Sequence, residues 1–125
     1  MSPQMPPKIP LLVLIGLSDA HRALVGEHFD LSYAPERAQQ AAALAAHGSR
    51  FRVVLTNGGV GLTEAQIEAM PQLELACAMG AGYENIALAA ARARGIVVAN
   101  GAGTNDDCVA DHAIGLLIAA VRGLV

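Results

Sequence analysis

Three glycine-rich runs hold the residues best suited to chemistry in this chain: Asn57-Gly58-Gly59-Val60-Gly61, Gly80-Ala81-Gly82-Tyr83-Glu84 and Asn100-Gly101-Ala102-Gly103-Thr104-Asn105. Glycine lets a backbone approach a ligand closely. Successive amides ahead of a helix form a concave nest for an anion such as a carboxylate. Each run taken singly also reads as a plain tight turn. Three of them at one rim point instead to a small anionic ligand.

Other chemistries fit the residues less well. Gly80-Ala81-Gly82 begins like a dinucleotide fingerprint, but Asn85 stands at the third glycine position and Asn100, not an acid, follows about 20 residues after the loop. A phosphorylated receiver domain needs acids on its first and third strands and a lysine after the fifth. Here the third strand ends in Thr56 and Asn57, and Lys8 is the sole lysine. Asp106, Asp107, Asp111 and His112 could be read as metal ligands, since positions i and i+4 share a helix face. The simpler account is a helix start, with Thr104 or Asn105 as cap and acids in the first turn, where the macrodipole favours them. Cys108 has no evident activating neighbour, and Cys77 reads as a buried strand residue. His21, His28 and His47 read as surface helix residues.

The elements that must position these loops alternate along the chain. Residues 1–8 hold three prolines and no periodicity, an extended or disordered lead-in. Leu11 to Ile15 is a continuous apolar run, followed by a helix capped by Ser18 or Asp19 and carrying Leu24, Val25 and Phe29. Phe29, Leu31 and Tyr33 alternate with polar residues, an edge strand, before a helix from Pro35 to His47. Val53 to Leu55 is the third strand, and Thr63 with Gln66 forms a capping box for the next helix, which ends near Pro71. Leu73 to Ala78 is the fourth strand, Glu84 to Arg94 a helix closed by Gly95, and Ile96 to Ala99 the fifth strand. This pattern predicts an α/β, flavodoxin-like, doubly wound parallel sheet of order 2-1-3-4-5, covered on both faces, with the glycine loops at the carboxyl ends of strands three to five. A final helix from about Thr104 is apolar nearly all round. Such a helix requires burial on more than one side, against a second domain or another subunit.

Composition bounds the partners. The 125 residues are 54% hydrophobic and 15% charged, which fits one globular domain with an aliphatic core. A net charge of -3, with basic residues scattered as pairs such as Arg50 with Arg52 and Arg92 with Arg94, gives no phosphate-tracking stripe, so no nucleic-acid partner is expected. Those pairs read as a solvated strand edge and a helix C-terminus. No run reaches the roughly 20 apolar residues of a membrane span, and Ile9 to Ser18 reads as a strand, not a signal peptide. Two distant cysteines without C-x-x-C spacing suit a reducing cytoplasm.

The stretch Leu73 to Ile86 containing Gly80-Ala81-Gly82-Tyr83-Glu84-Asn85-Ile86, then Ala89 to Val98, then Asn105 to His112, resembles the D-isomer-specific 2-hydroxyacid dehydrogenases over about residues 10–125. Asp106-Asp107-Cys108-Val109-Ala110-Asp111, with Ala113-Ile114-Gly115-Leu116-Leu117 after it, is most similar to the glyoxylate and hydroxypyruvate reductase branch. The resemblance implies a substrate-binding domain over 9–103 and a crossover helix over 104–125 leading toward a Rossmann domain that binds NAD or NADP. It further implies that the catalytic residues lie in that later domain and have no counterpart here. Ala81 and Gly82, with Asn57 and Gly58 beside them, match the loops that hold the substrate carboxylate, and Asn105 and Val109 match positions near the nicotinamide. The sequence departs from the family in Gly101-Ala102, where Thr-Pro is usual after the position of Asn100, and in Asp106 and Ala87. The expected function is reduction of a small 2-oxo acid to the D-2-hydroxy acid, with a homodimer formed through the helix 107–124. A corepressor of the C-terminal-binding-protein type, or a self-sufficient flavodoxin-like binding module, remains the alternative.

Overall fold

The computed structural model describes residues 6–124, so the first five residues of the expected lead-in lie outside the described part. Five parallel strands, β1 (Ile9–Val13), β2 (Phe29–Tyr33), β3 (Val53–Asn57), β4 (Leu75–Met79) and β5 (Val97–Asn100), form one sheet in the order β2-β1-β3-β4-β5. The helices are α1 (Asp19–His28), α2 (Arg37–His47), α3 (Glu64–Glu68), α4 (Leu88–Ala93) and α5 (Asp106–Arg122). β1 is the hub, pairing Leu11 with both Leu31 and Val53. The predicted fold class and strand order stand, with strand ends shifted by one or two residues.

Alternation along the strands builds two cores. Leu12 and Leu14 join Val54, Ala76, Phe51, Ile67, Met70 and Ala91 on one face, under α2, α3 and α4. Leu11, Val13 and Ile15 lie on the other, packed against Val25, Phe29, Leu31 and Tyr33. Gln40 is buried where α2 crosses the sheet; its Nε2 donates to the Leu14 carbonyl at 3.2 Å, which satisfies a polar group that burial would otherwise leave unpaired.

The second face is covered only in part, against expectation. The register places Leu75, Cys77 and Met79 of β4 beside Val97 and Ala99 of β5 on the α1 side. Met79 is 52% and Val97 61% exposed, so the described helices leave this end of the face uncovered. Cys77 is therefore half-buried, not buried as expected.

Local rules place most helix starts. The Ser18 Oγ accepts the His21 amide, and the Thr63–Gln66 box forms as read, with reciprocal bonds of 3.2 and 2.9 Å. Leu24, one of the apolar residues carried by α1, is 56% exposed, and Phe29 opens β2 instead of closing α1. The helix expected from Glu84 begins only at Leu88. Ile86 forms a parallel bridge with Leu62, and the Ala87 amide donates to the Leu62 carbonyl at 2.9 Å, so these residues are held out of the helix. Of the two candidate caps of α5, Asn105 holds the N-cap position without a side-chain cap bond, while the Thr104 hydroxyl donates to the Gly101 carbonyl at 2.6 Å. The helix ends at Arg122, capped by Gly123, whose φ of 64° is the left-handed cap conformation.

Candidate functional site

The loops after β3, β4 and β5 meet at the carboxyl edge of the sheet, as parallel strands of a doubly wound fold require. Contact between the first two is backbone on backbone. A Cβ at Gly58 would lie 2.6 Å from the Gly82 carbonyl carbon, so only glycine allows this approach. Gly61 has a φ of 72° and any side chain on it would collide with the Asn85 backbone. Asn85 ties the pair together, its Nδ2 donating to the Gly58 carbonyl at 2.9 Å and to Gly59 at 3.1 Å. From beneath, the buried Thr56 hydroxyl donates to the Gly61 carbonyl at 2.6 Å.

The third loop holds the second. The Gly101 amide donates to the Gly80 carbonyl and the Asn100 Nδ2 to the Ala81 carbonyl, both at 2.8 Å. Gly80, with a φ of 88°, makes the sharp turn out of β4. The amides of Ala81 and Gly82 have no acceptor among the described residues. Two neighbouring amides without partners, on a loop braced from both sides, can offer two donors to an anionic oxygen.

The structure thus brings together Asn57, Gly58, Ala81 and Gly82, but in unequal roles. The Asn57 Oδ1 is engaged by the Val60 amide at 2.7 Å, shaping the first turn. Gly58 is buried and acts as the spacer on which Gly82 rests. Asn105 and Val109 stand apart, on the exposed start of α5, with Val109 57% exposed. Sequence reasoning missed Glu84. Its Oε2 lies 2.8 Å from where a Cβ on Gly82 would be and 2.6 Å from the same position on Gly58, which puts a carboxylate over the loop contact. It also missed the bracing roles of Asn85 and Asn100, although amide side chains flanking glycine runs are a usable signal for loop-to-loop hydrogen bonds.

The described residues do not build a cradle for a dinucleotide. Gly80-Ala81-Gly82 leads into the bridge at Ile86, not into a helix, so a pyrophosphate would find no helix N-terminus there. Among the described residues no group of three or more potential ligands gathers for a metal ion, and Asp106 and Asp107 lie in the first turn of α5. The two cysteines are free; burial raises the pKa of the Cys77 thiol above its ordinary value. Among the described residues no helix is long and apolar enough to cross a membrane.

The family model described as D-isomer specific 2-hydroxyacid dehydrogenase, catalytic domain, matches residues 11–119. The chain belongs to this family. Among its relatives, a glyoxylate/hydroxypyruvate reductase of Arabidopsis thaliana is 36% identical over 76 residues, 61% of this chain and 24% of that protein. A 2-ketogluconate reductase of Gluconobacter oxydans is 39% identical over 75 residues, 60% of this chain and again 24% of that protein. The chain therefore spans about a quarter of the length of these curated relatives. Among solved structures, a 2-hydroxyacid dehydrogenase from Ketogulonicigenium vulgare superposes with a TM-score of 0.82 at 35% identity, covering 94% of this chain and 37% of that one. An NADPH-dependent glyoxylate/hydroxypyruvate reductase from Sinorhizobium meliloti, in complex with NADP and malonate, gives 0.75 at 31% identity, covering 89% and 34%.

Proposed function

We propose that this 2-hydroxyacid dehydrogenase chain is the carboxylate-holding part of an NAD- or NADP-dependent enzyme that reduces a small 2-oxo acid, of the glyoxylate or hydroxypyruvate kind, to the D-2-hydroxy acid. The observation that carries the reading is the pair of unpartnered amides at Ala81 and Gly82 on a loop braced by Asn85 and Asn100. A carboxylate seated there receives two charge-assisted hydrogen bonds, and its orientation follows that of the loop. Asn57 and Gly58 fix the wall beside it, and Asn105 and Val109 flank the nicotinamide side. A relative crystallised with NADP and malonate supports a carboxylate ligand for an enzyme of this kind.

In such an enzyme the nicotinamide supplies the hydride. This chain contributes capture and orientation of the acid. The domain spans 9–103, with 104–125 as the crossover segment. A cytoplasmic enzyme accords with two free thiols, and a homodimer with the exposed apolar α5.

The test is calorimetric titration of the chain with oxamate, an unreactive 2-oxo acid analogue, without nucleotide. Binding is expected, and Gly82→Val should weaken it about 30- to 1000-fold by placing a branched side chain against the nest. A folded Gly82→Val chain that binds as tightly as wild type would remove the loop from the site. Beside it, NADH or NADPH oxidation with glyoxylate by this chain alone should not exceed the rate without protein.

A further inference from the structure

We propose that Asn100 is a positioning residue of the anion site, fixing the direction in which the Gly82 amide donates; this rests on the reading of the loop as carboxylate holder. In a trans peptide the carbonyl and the N–H point to opposite sides of one rigid plane. The Ala81 and Gly82 amides belong to the consecutive peptides Gly80–Ala81 and Ala81–Gly82. In each, the carbonyl is held by the loop after β5: Gly80 by the Gly101 amide and Ala81 by the Asn100 side chain, both at 2.8 Å. Both N–H groups therefore face away from that loop.

The two braces differ in kind. The Gly101 amide is backbone, and the close packing that a Cβ there would tighten to 3.2 Å from the Gly80 oxygen keeps it in place. The brace on Ala81–Gly82 depends on one side chain. Gly82 has no Cβ to resist rotation of that peptide, and no strand or helix bond restrains it. Asn100 can restrain it because its own backbone is the last rung of β5, opposite Ala78. A carbonyl that accepts a hydrogen bond also polarises its peptide, which makes the Gly82 N–H a stronger donor to a carboxylate. Asn100 need not touch the ligand to do this.

The experiment is nitrogen–proton NMR of the chain titrated with oxamate. In wild type, the Ala81 and Gly82 amide resonances and the Asn100 side-chain NH₂ resonances should shift together and saturate at one concentration. Asn100→Ala, and the isosteric Asn100→Asp, which cannot donate when ionised, should bind about 5- to 20-fold more weakly with the rest of the spectrum unchanged. If Gly82 saturates while the Asn100 NH₂ stays still, or a folded Asn100→Ala chain binds as wild type, Asn100 has no positioning role and the carboxylate site survives. If oxamate leaves Ala81 and Gly82 unmoved, the reading of the loop falls and this inference with it. The wild-type measurement decides even where a variant fails to fold.

Discussion

Glu84 works against the proposed anion site beside which it sits. Its carboxylate lies over the Gly58–Gly82 contact, so an acid brought to the Ala81 and Gly82 amides meets negative charge as well as donors. Glu84→Gln should tighten oxamate binding about 3- to 10-fold at low salt, with the gain shrinking as screening increases. Equal affinity in both chains at low ionic strength would place the Glu84 charge away from the ligand. Cys77 offers a second single-residue test. Burial raises its pKa, so the folded state holds the thiol proton more tightly than the unfolded chain does. The associated stability is present at neutral pH and is lost as pH rises from the unfolded thiol value, about 8.5, through the folded one. Urea unfolding should show wild type losing ground to Cys77→Ala above that range, and alkylation at neutral pH should label the exposed Cys108 first. Glycine runs are visible in a sequence because glycine has few other uses at such density, so the loops and the two candidate amides were legible. The placement of Glu84 was not, because it depends on a loop far away in sequence arriving underneath it.

At the scale of elements, what is local was legible and what is brokered between elements was not. The Thr63–Gln66 box and the Ser18 cap are decided within one turn of helix, and both formed as read. The delayed start of α4 is decided by Leu62, which captures Ile86 in a bridge before the helix can begin. Arg94 shows the same limit: read as a cation at its own helix C-terminus, it reaches across to α3, donating to the carbonyls of Ile67, Met70 at 3.0 Å and Pro71 at 2.9 Å. Arg50 and Arg52, read as solvated, pair with Asp30 and Glu74 across the strand ends. The weak point of this scaffold is Gly61, where a left-handed φ and the Asn85 backbone both exclude a side chain. Gly61→Ala should lower the unfolding free energy by about 2–4 kcal/mol. Gly59→Ala, whose Cβ would meet nothing nearer than the Asn57 Oδ1 at 3.6 Å, should stay within about 0.5 kcal/mol of wild type. Urea denaturation of both variants measures the contrast, and equal stabilities would mean that the loop yields without cost.

At the scale of the whole molecule, two apolar surfaces are left without cover. One is the β4–β5 face around Met79 and Val97. The other is α5, on which Ile114, Leu116, Leu117, Ile118 and Val121 are each more than half exposed and point around most of the helix circumference. Sequence periodicity announced the second, because no single face of that helix is polar enough to meet water. It could not announce the first, since a strand does not record which of its faces lacks a helix. Patches of this extent are uncommon on stable monomers, and a helix apolar on all sides needs more than one neighbour. A second copy can supply both surfaces at once: α5 of each chain laid on the open β4–β5 face of the other forms an isologous, closed pair. Sedimentation velocity over roughly a hundredfold range of concentration should therefore show a monomer giving way to a dimer, as mass action requires. Leu117→Asp should shift that equilibrium toward monomer, and Val97→Lys should do the same from the sheet side without altering α5. If Leu117→Asp alone has the effect, helix pairs with helix and the sheet face plays no part. A single monomer boundary at the highest concentration would overturn self-association through either surface.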